Sequence, residues 1–200
     1  MSNDNERAKD QARAQFESIK EMVAALNLDW DRLEELREEK KDLRDTLTTA
    51  ARDLKDYADN CNLRAASYLE LKEANDEAEK ALSDWEEENQ EELDELEAEA
   101  GECKDADDAR QRINEDPLSV QVRSGWYCPG SEDHSAEEFQ ILLCTGGPAV
   151  KIEGELGQWN QPESAEIFYQ DWFTPWEPLE LTSEEEEIVL EYCRCFYFGE

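Results

Sequence analysis

Along the first hundred residues the apolar positions fall on a three-four spacing. From Leu33 the series runs through Leu36, Lys40, Leu43, Leu47, Ala50, Leu54, Tyr57, Cys61, Arg64, Tyr68, Leu71, Asn75, Ala78 and Leu82 to Trp85. That period puts one stripe on one face of a helix and matches the seam of a coiled coil, with polar interruptions at Lys40, Arg64 and Asn75. The earliest Gly is Gly101 and the earliest Pro is Pro117, so neither residue type breaks a helix upstream of these positions. Asp59-Asn60-Cys61-Asn62 has the weakest helix propensity of the stretch. The pattern therefore favours an antiparallel helical hairpin turning near residues 58–63, with Asn75-Asp76 as the second choice for the turn. A parallel dimeric coiled coil is the competing arrangement. A separate stripe, Phe16, Ile19, Met22, Val23 and Leu26, comes first; it ends near Asn27-Leu28-Asp29 and leaves Asp29 to cap the next helix.

At Gly101 the pattern changes. A short helix is predicted from about Asp105 to Asn114, followed by Pro117 and then by alternation of Leu118, Val120 and Val122 with Ser119, Gln121 and Arg123, as a half-buried strand requires. Further strands are predicted at 139–144, 149–156 and 165–172, joined closely enough for an antiparallel meander. Thr174-Pro175-Trp176 ends the last strand. Ser183 with Glu186 reads as a capping box opening a helix through Ile188, Val189, Tyr192, Cys193 and Phe196, which would cover one face of the sheet. The fold class expected is α+β: residues 1–100 an acidic helical coiled-coil arm, residues 101–200 a domain of about four antiparallel strands plus a C-terminal helix.

Charge sharpens this picture. The chain has 54 acidic and 20 basic residues, a net charge of -34, which argues against electrostatic attachment to nucleic acid or anionic lipid and points to basic partners. Between Glu73 and Asp108 there are 18 carboxylates against Lys80 and Lys104. If helical, that run approaches the linear charge density of a nucleic-acid strand, about one charge per ~3.4 Å. Glu73, Glu77, Asp84, Glu86, Glu87, Glu88, Glu91, Glu92, Asp94, Glu95, Glu97 and Glu99 are the candidate partner-binding ridge. The bland alternative is a solvated helix whose acids pair with Arg32, Arg37, Lys40, Lys41, Arg44, Arg52 and Lys55 across a hairpin. Among the aromatics Trp126, Tyr127, Trp159, Trp172, Phe173 and Trp176 gather near strand ends; Trp126, Trp159 and Trp176 are the candidate contact residues.

No catalytic constellation emerges. The one histidine, His134, lies in a polar loop, and Ser131 and Ser135 lack the context of an activated nucleophile. Cys193 and Cys195, two apart on a helix, point to different faces, and zinc would need Cys103, Cys128 or Cys144 brought to them. Cys144-Thr145-Gly146-Gly147-Pro148 lacks the Lys of a phosphate-binding loop and reads as a tight turn. The expectation is a non-enzymatic protein with no metal and no cofactor. No apolar run reaches the ~20 residues of a membrane span, and Met1-Ser2-Asn3-Asp4-Asn5-Glu6 is not a signal peptide, so a cytoplasmic protein with reduced thiols is expected.

Three strings carry a resemblance: Val122-Arg123-Ser124-Gly125-Trp126-Tyr127, Ile141-Leu142-Leu143-Cys144-Thr145-Gly146-Gly147-Pro148-Ala149-Val150 and Tyr169-Gln170-Asp171-Trp172-Phe173-Thr174-Pro175-Trp176. With them the chain resembles a family of uncharacterised bacteriophage and prophage proteins. The likeness extends upstream through Phe16-Glu17-Ser18-Ile19 and Asp31-Arg32-Leu33-Glu34-Glu35-Leu36-Arg37. It implies a setting, the cytoplasm of a bacterial host, and transfers no residue roles. In that setting the expected function is to bind and inhibit a host nucleic-acid-processing or defence complex, such as a restriction, CRISPR or recombination nuclease. The acidic run would occupy a basic groove as a nucleic-acid mimic, without direct contact to nucleic acid or membrane, as a monomer or homodimer. A non-catalytic coiled-coil scaffold or adaptor, with a homodimer as one form, is the alternative.

Overall fold

The structure is a computed structural model that describes residues 2–59, 65–126, 128–130 and 135–199. Among the described residues, five α-helices and five strands follow the order α1 (Ser2–Asn27), α2 (Trp30–Asp59), α3 (Ala65–Ala100), α4 (Ala106–Glu115), β1 (Ser119–Arg123), β2 (Glu138–Cys144), β3 (Ala149–Glu155), β4 (Glu166–Gln170), β5 (Glu177–Pro178) and α5 (Ser183–Cys193). The fold is α+β, as the hydrophobic pattern predicted. The chain forms two compact units, one of Leu28–Gly101 and one of Met1–Asn27 with Glu102–Glu200.

This division differs from the one expected at residue 100, because α1 belongs with the sheet. Its buried face is Ala8, Ala12, Phe16, Ile19, Met22 and Val23, every one at most 4% exposed. The two alanines, one turn apart, extend the stripe beyond what large apolar residues alone mark, and leave no side-chain bulk between the backbone and its neighbours. α1 lies against β3 and β4, and both α4 and α5 pack on α1. The cover that sequence assigned to the C-terminal helix is thus supplied by the first helix. Ile113 of α4 and Val189, Tyr192 and Cys193 of α5 complete the core with Phe139, Ile141, Val150, Ile152 and Ile167 of the sheet.

The sheet is an antiparallel meander in the order β1-β2-β3-β4-β5. Four strands were expected; the fifth, two residues long, pairs Phe168 with Pro178 and Tyr169 with Glu177 after the Thr174-Pro175-Trp176 break. Pairing of Ile141 with Ile152 and of Ile152 with Ile167 stacks one apolar row across the sheet on the face beneath α1. β1 differs from expectation: Leu118, Val120 and Val122 are 60%, 37% and 47% exposed. The cap of α5 also shifts by one residue, since Thr182 accepts from Glu185 N and Glu185 returns a bond to Thr182 N. Tyr192, fully buried, donates a 2.6 Å hydrogen bond to Asp116 at the end of α4.

In the other unit α2 and α3 pack along each other. Asp29 caps α2, its Oδ1 accepting from Arg32 N at 3.0 Å. Leu28, Leu33, Leu36, Leu93 and Ala100 form a core with Trp30, Trp85 and Leu96 around it. Further along, Leu43, Leu47, Ala50, Leu54, Tyr57 and Leu71 are only half-buried, and Leu69 is exposed. α2 ends at Asp59 and α3 begins at Ala65, so the seam is satisfied by an antiparallel hairpin. The stretch 60–64, on which most of the predicted turn falls together with Cys61 and Arg64, lies outside the described residues, as do Tyr127, Ser131 and His134.

Candidate functional site

α3 turns Leu71, Asn75, Ala78, Leu82, Trp85, Asn89, Leu93, Leu96 and Ala100 toward α2, each buried or half-buried. Tyr68 falls out of this row and is exposed, while Ser67 takes the half-buried position. Because the carboxylates occupy the remaining helical positions, they face solvent. Eleven of the twelve candidates are exposed and Glu86 is half-buried.

Three of them are neutralised from α2. Arg32 Nε and Nη2 donate to the two oxygens of Glu92 at 3.0 and 2.8 Å, Arg37 Nε reaches Glu97 at 3.0 Å, and Arg44 approaches Glu86 at 3.6 Å. The hydrogen bonds from Arg32 hold the Glu92 carboxyl below its ordinary range. Asp94 accepts from Gln90 at 2.5 Å. Lys40, expected among the neutralising cations, instead donates to Gln90 and lies 5.8 Å from the ring centre of Trp85. Lys41, Arg52 and Lys55 form no ion pair with α3 among the described residues. Glu73, Glu77, Asp84, Glu87, Glu88, Glu91, Glu95 and Glu99 have no ion pair among the described residues.

From Glu73 to Glu99 the helix holds 14 carboxylates and Lys80. After the three arginines are counted, the residual charge is roughly one per ~4 Å along about 40 Å of helix, against ~3.4 Å for a single nucleic-acid strand. Glu87, Glu91, Glu95 and Glu99 stand in one row four residues apart, as do Asp84 and Glu88. Like charges at that spacing destabilise a helix by about 0.2–0.5 kcal/mol per pair. Local helix energetics does not favour such a row.

Comparison with protein-family models, curated proteins and solved structures returned no match.

The aromatic candidates lie in the other unit and separate into two groups. Trp126, fully exposed, is in the β1–β2 connection; Trp159, 89% exposed, is in the β3–β4 connection. The register Glu138↔Glu155 brings those connections to the same end of the sheet. Trp159 and Asn160 are both left-handed, φ 63° and 52°, a conformation side chains rarely adopt, and Asn160 Nδ2 donates to Gly199 O at 2.9 Å. Trp176 is half-buried instead, with Lys151 Nζ 4.4 Å from its ring centre. Lys151, 8% exposed, also binds Glu153 at 2.6 Å. At the opposite end from Trp126 and Trp159, Trp172 and Phe173 are exposed, although neither was among the candidate contact residues. Trp172 lies over Gly147, where an added Cβ would come within 1.9 Å of its Nε1. The glycines of the β2–β3 turn would have been a signal for such an aromatic lid.

Cys103, Cys128, Cys144, Cys193 and Cys195 are free, and burial pushes Cys144, Cys193 and Cys195 above the ordinary thiol range. Among the described residues no group of three His, Cys, Asp or Glu could hold a metal ion, and no helix is long and apolar enough to cross a membrane.

Proposed function

We propose that this chain is a phage-encoded protein that binds and inhibits a host nucleic-acid-processing or defence complex, in the manner of an anti-CRISPR, anti-restriction or nuclease-inhibitor protein. The outer face of α3 enters a cationic groove in place of a nucleic-acid strand. One observation supports this most: eight exposed carboxylates without ion pairs among the described residues, in rows that cost helix stability, stand beside arginines that neutralise only three of their neighbours. A row of charge kept at the expense of local stability is what a groove lined by Lys and Arg recognises and steers. The phage setting and the bacterial cytoplasm rest on the family resemblance.

The test is recovery of partners from bacterial host lysate at low salt, with the wild-type chain and with Glu87→Gln/Glu91→Gln/Glu95→Gln side by side. The proposal expects nucleic-acid-binding proteins on the wild type and their loss on the variant. Equal recovery on both, or no such protein on either, would refute it. A non-catalytic scaffold is the second reading, favoured by Leu69, 56% exposed, beside the exposed Tyr68 at the start of α3. Light scattering that returns a dimer abolished by Leu69→Lys would support that reading over the first.

A further inference from the structure

We propose that the groove between α2 and α3, on the half of the hairpin away from Leu36, is a docking site for an amphipathic helix of a partner protein that carries lysine or arginine beside a stripe of apolar residues. Two helices bury only part of their seam here. Leu36 is fully buried, whereas Leu43, Ala50, Leu54 and Leu71 are half-buried. The groove has a volume of about 630 Å³ and takes its apolar lining from Ala50, Leu71 and Ala74. Alanine on both helices is small enough for a third helix to come close. α2 also contributes Asp42, Asp45, Thr46, Thr49 and Asp53 to the lining. These five are three or four residues apart in turn, which keeps them on one face of the helix beside the seam. The three aspartates are exposed and have no ion pair among the described residues.

The chemistry of the occupant follows from this lining. A groove between two packed helices accepts a third by ridges into grooves, so a helix fits it where a strand would leave its backbone unpaired. From Asp42 to Asp53 the groove runs for roughly 16 Å, about three helical turns. A helix of that length would set its apolar stripe on Ala50, Leu71 and Ala74. Cations at helical spacing along its flank would stand opposite Asp42, Asp45 and Asp53, with their stems over the apolar lining. The aspartates line the groove itself, so a seated helix meets them directly. The net charge of -34 disfavours an acidic helix or a second copy in the same place. Glu87, Glu91 and Glu95 do not line the groove, so this site does not rest on the α3 ridge.

The experiment titrates the full chain with an amidated peptide of about four helical turns in which leucine and alanine form one stripe flanked by lysine. A second peptide has the same composition, scrambled so that no stripe forms. Both carry the same charge, so attraction to an acidic chain alone would bind them equally. The first peptide should bind at least about tenfold more tightly and should shift the backbone amide resonances of 42–53 and 71–74. Asp45→Lys/Asp53→Lys, at exposed positions, should weaken it by about tenfold, because two pairs turn from attraction to repulsion. Asp45→Asn/Asp53→Asn, which keeps the shape, should weaken it less in the same direction, and Glu87→Gln/Glu91→Gln/Glu95→Gln should leave it bound at this groove. Equal binding of the two peptides overturns the proposal, as do resonances of 42–53 and 71–74 that stay unmoved or an unchanged affinity in both aspartate variants. Resonances of the groove that move on dilution of the chain alone would make a second copy the occupant and overturn it too.

Discussion

Arg32 on α2 grips Glu92 on α3 through two parallel hydrogen bonds, Nε to Oε1 at 3.0 Å and Nη2 to Oε2 at 2.8 Å. The same guanidinium also reaches Glu35 at 2.8 Å, so one arginine ties the helices together and braces its own. Bidentate geometry of this kind is the most orienting form of ion pair, although both groups are solvated. Because Glu92 is held below its ordinary 4.5 by these bonds, its contribution is present above that value and fades as pH falls through the lower folded-state value. Melting curves of the full chain in acid should show the hairpin losing stability in that window, and Arg32→Ala should remove this part of the pH dependence.

The hairpin is better packed at one end than the other. Leu36 is fully buried and Leu47 only half-buried. Leu36→Ala should therefore cost about 3 kcal/mol and Leu47→Ala roughly 1 kcal/mol, read from denaturant midpoints at unchanged slope.

Capping at α5 separates two neighbouring hydroxyls. Thr182 accepts the Glu185 amide and Glu185 bonds back, while Ser183 is the first helical residue. Thr182→Ala should destabilise by about 1 kcal/mol. Ser183→Ala should be near neutral, and the reverse order of midpoints would contradict this assignment.

Tyr192 is the largest fully buried side chain, and burial with the Asp116 bond pushes its hydroxyl far above the ordinary tyrosine range. A raised folded-state value means its contribution is whole below about 10, the unfolded value, and is lost as pH rises beyond it. In ultraviolet titration Tyr192 should ionise only as the fold opens. Tyr192→Phe should cost about 1–2 kcal/mol by leaving the Asp116 oxygen without its donor.

The acidic row should be a cost to the isolated protein. Glu91→Gln removes repulsion with both Glu87 and Glu95, so its melting temperature should rise at low salt, and the gain should shrink in 1 M salt as screening shortens to ~3 Å. A fall in melting temperature at low salt would mean that Glu91 has a stabilising partner.

Much of this molecule was legible from local pattern. The three-four spacing from Leu33 to Trp85, the absence of Gly and Pro before Gly101, Asp29 as a cap, and the short apolar runs at 139–144, 149–156 and 165–172 are all short-range signals, and each located its element. Exposure of the α3 carboxylates was legible for the same reason, since a helix whose seam is apolar must turn its other positions outward. What those signals cannot contain is which surface meets which. α1 carries a stripe like that of α2, yet it packs on β3 and β4, because two small residues, Ala8 and Ala12, extend that stripe along the helix. β1 alternates as cleanly as β2, yet its valines are exposed, because burial depends on whether a further strand or helix lies beyond the edge. Which arginines neutralise the ridge also depends on the packing of α2 against α3: Arg32, Arg37 and Arg44 reach carboxylates, and Lys40 meets Gln90. Period and propensity belong to the chain by itself; pairing across distance belongs to the tertiary structure, where a few ångströms decide whether a charge is answered or left facing water.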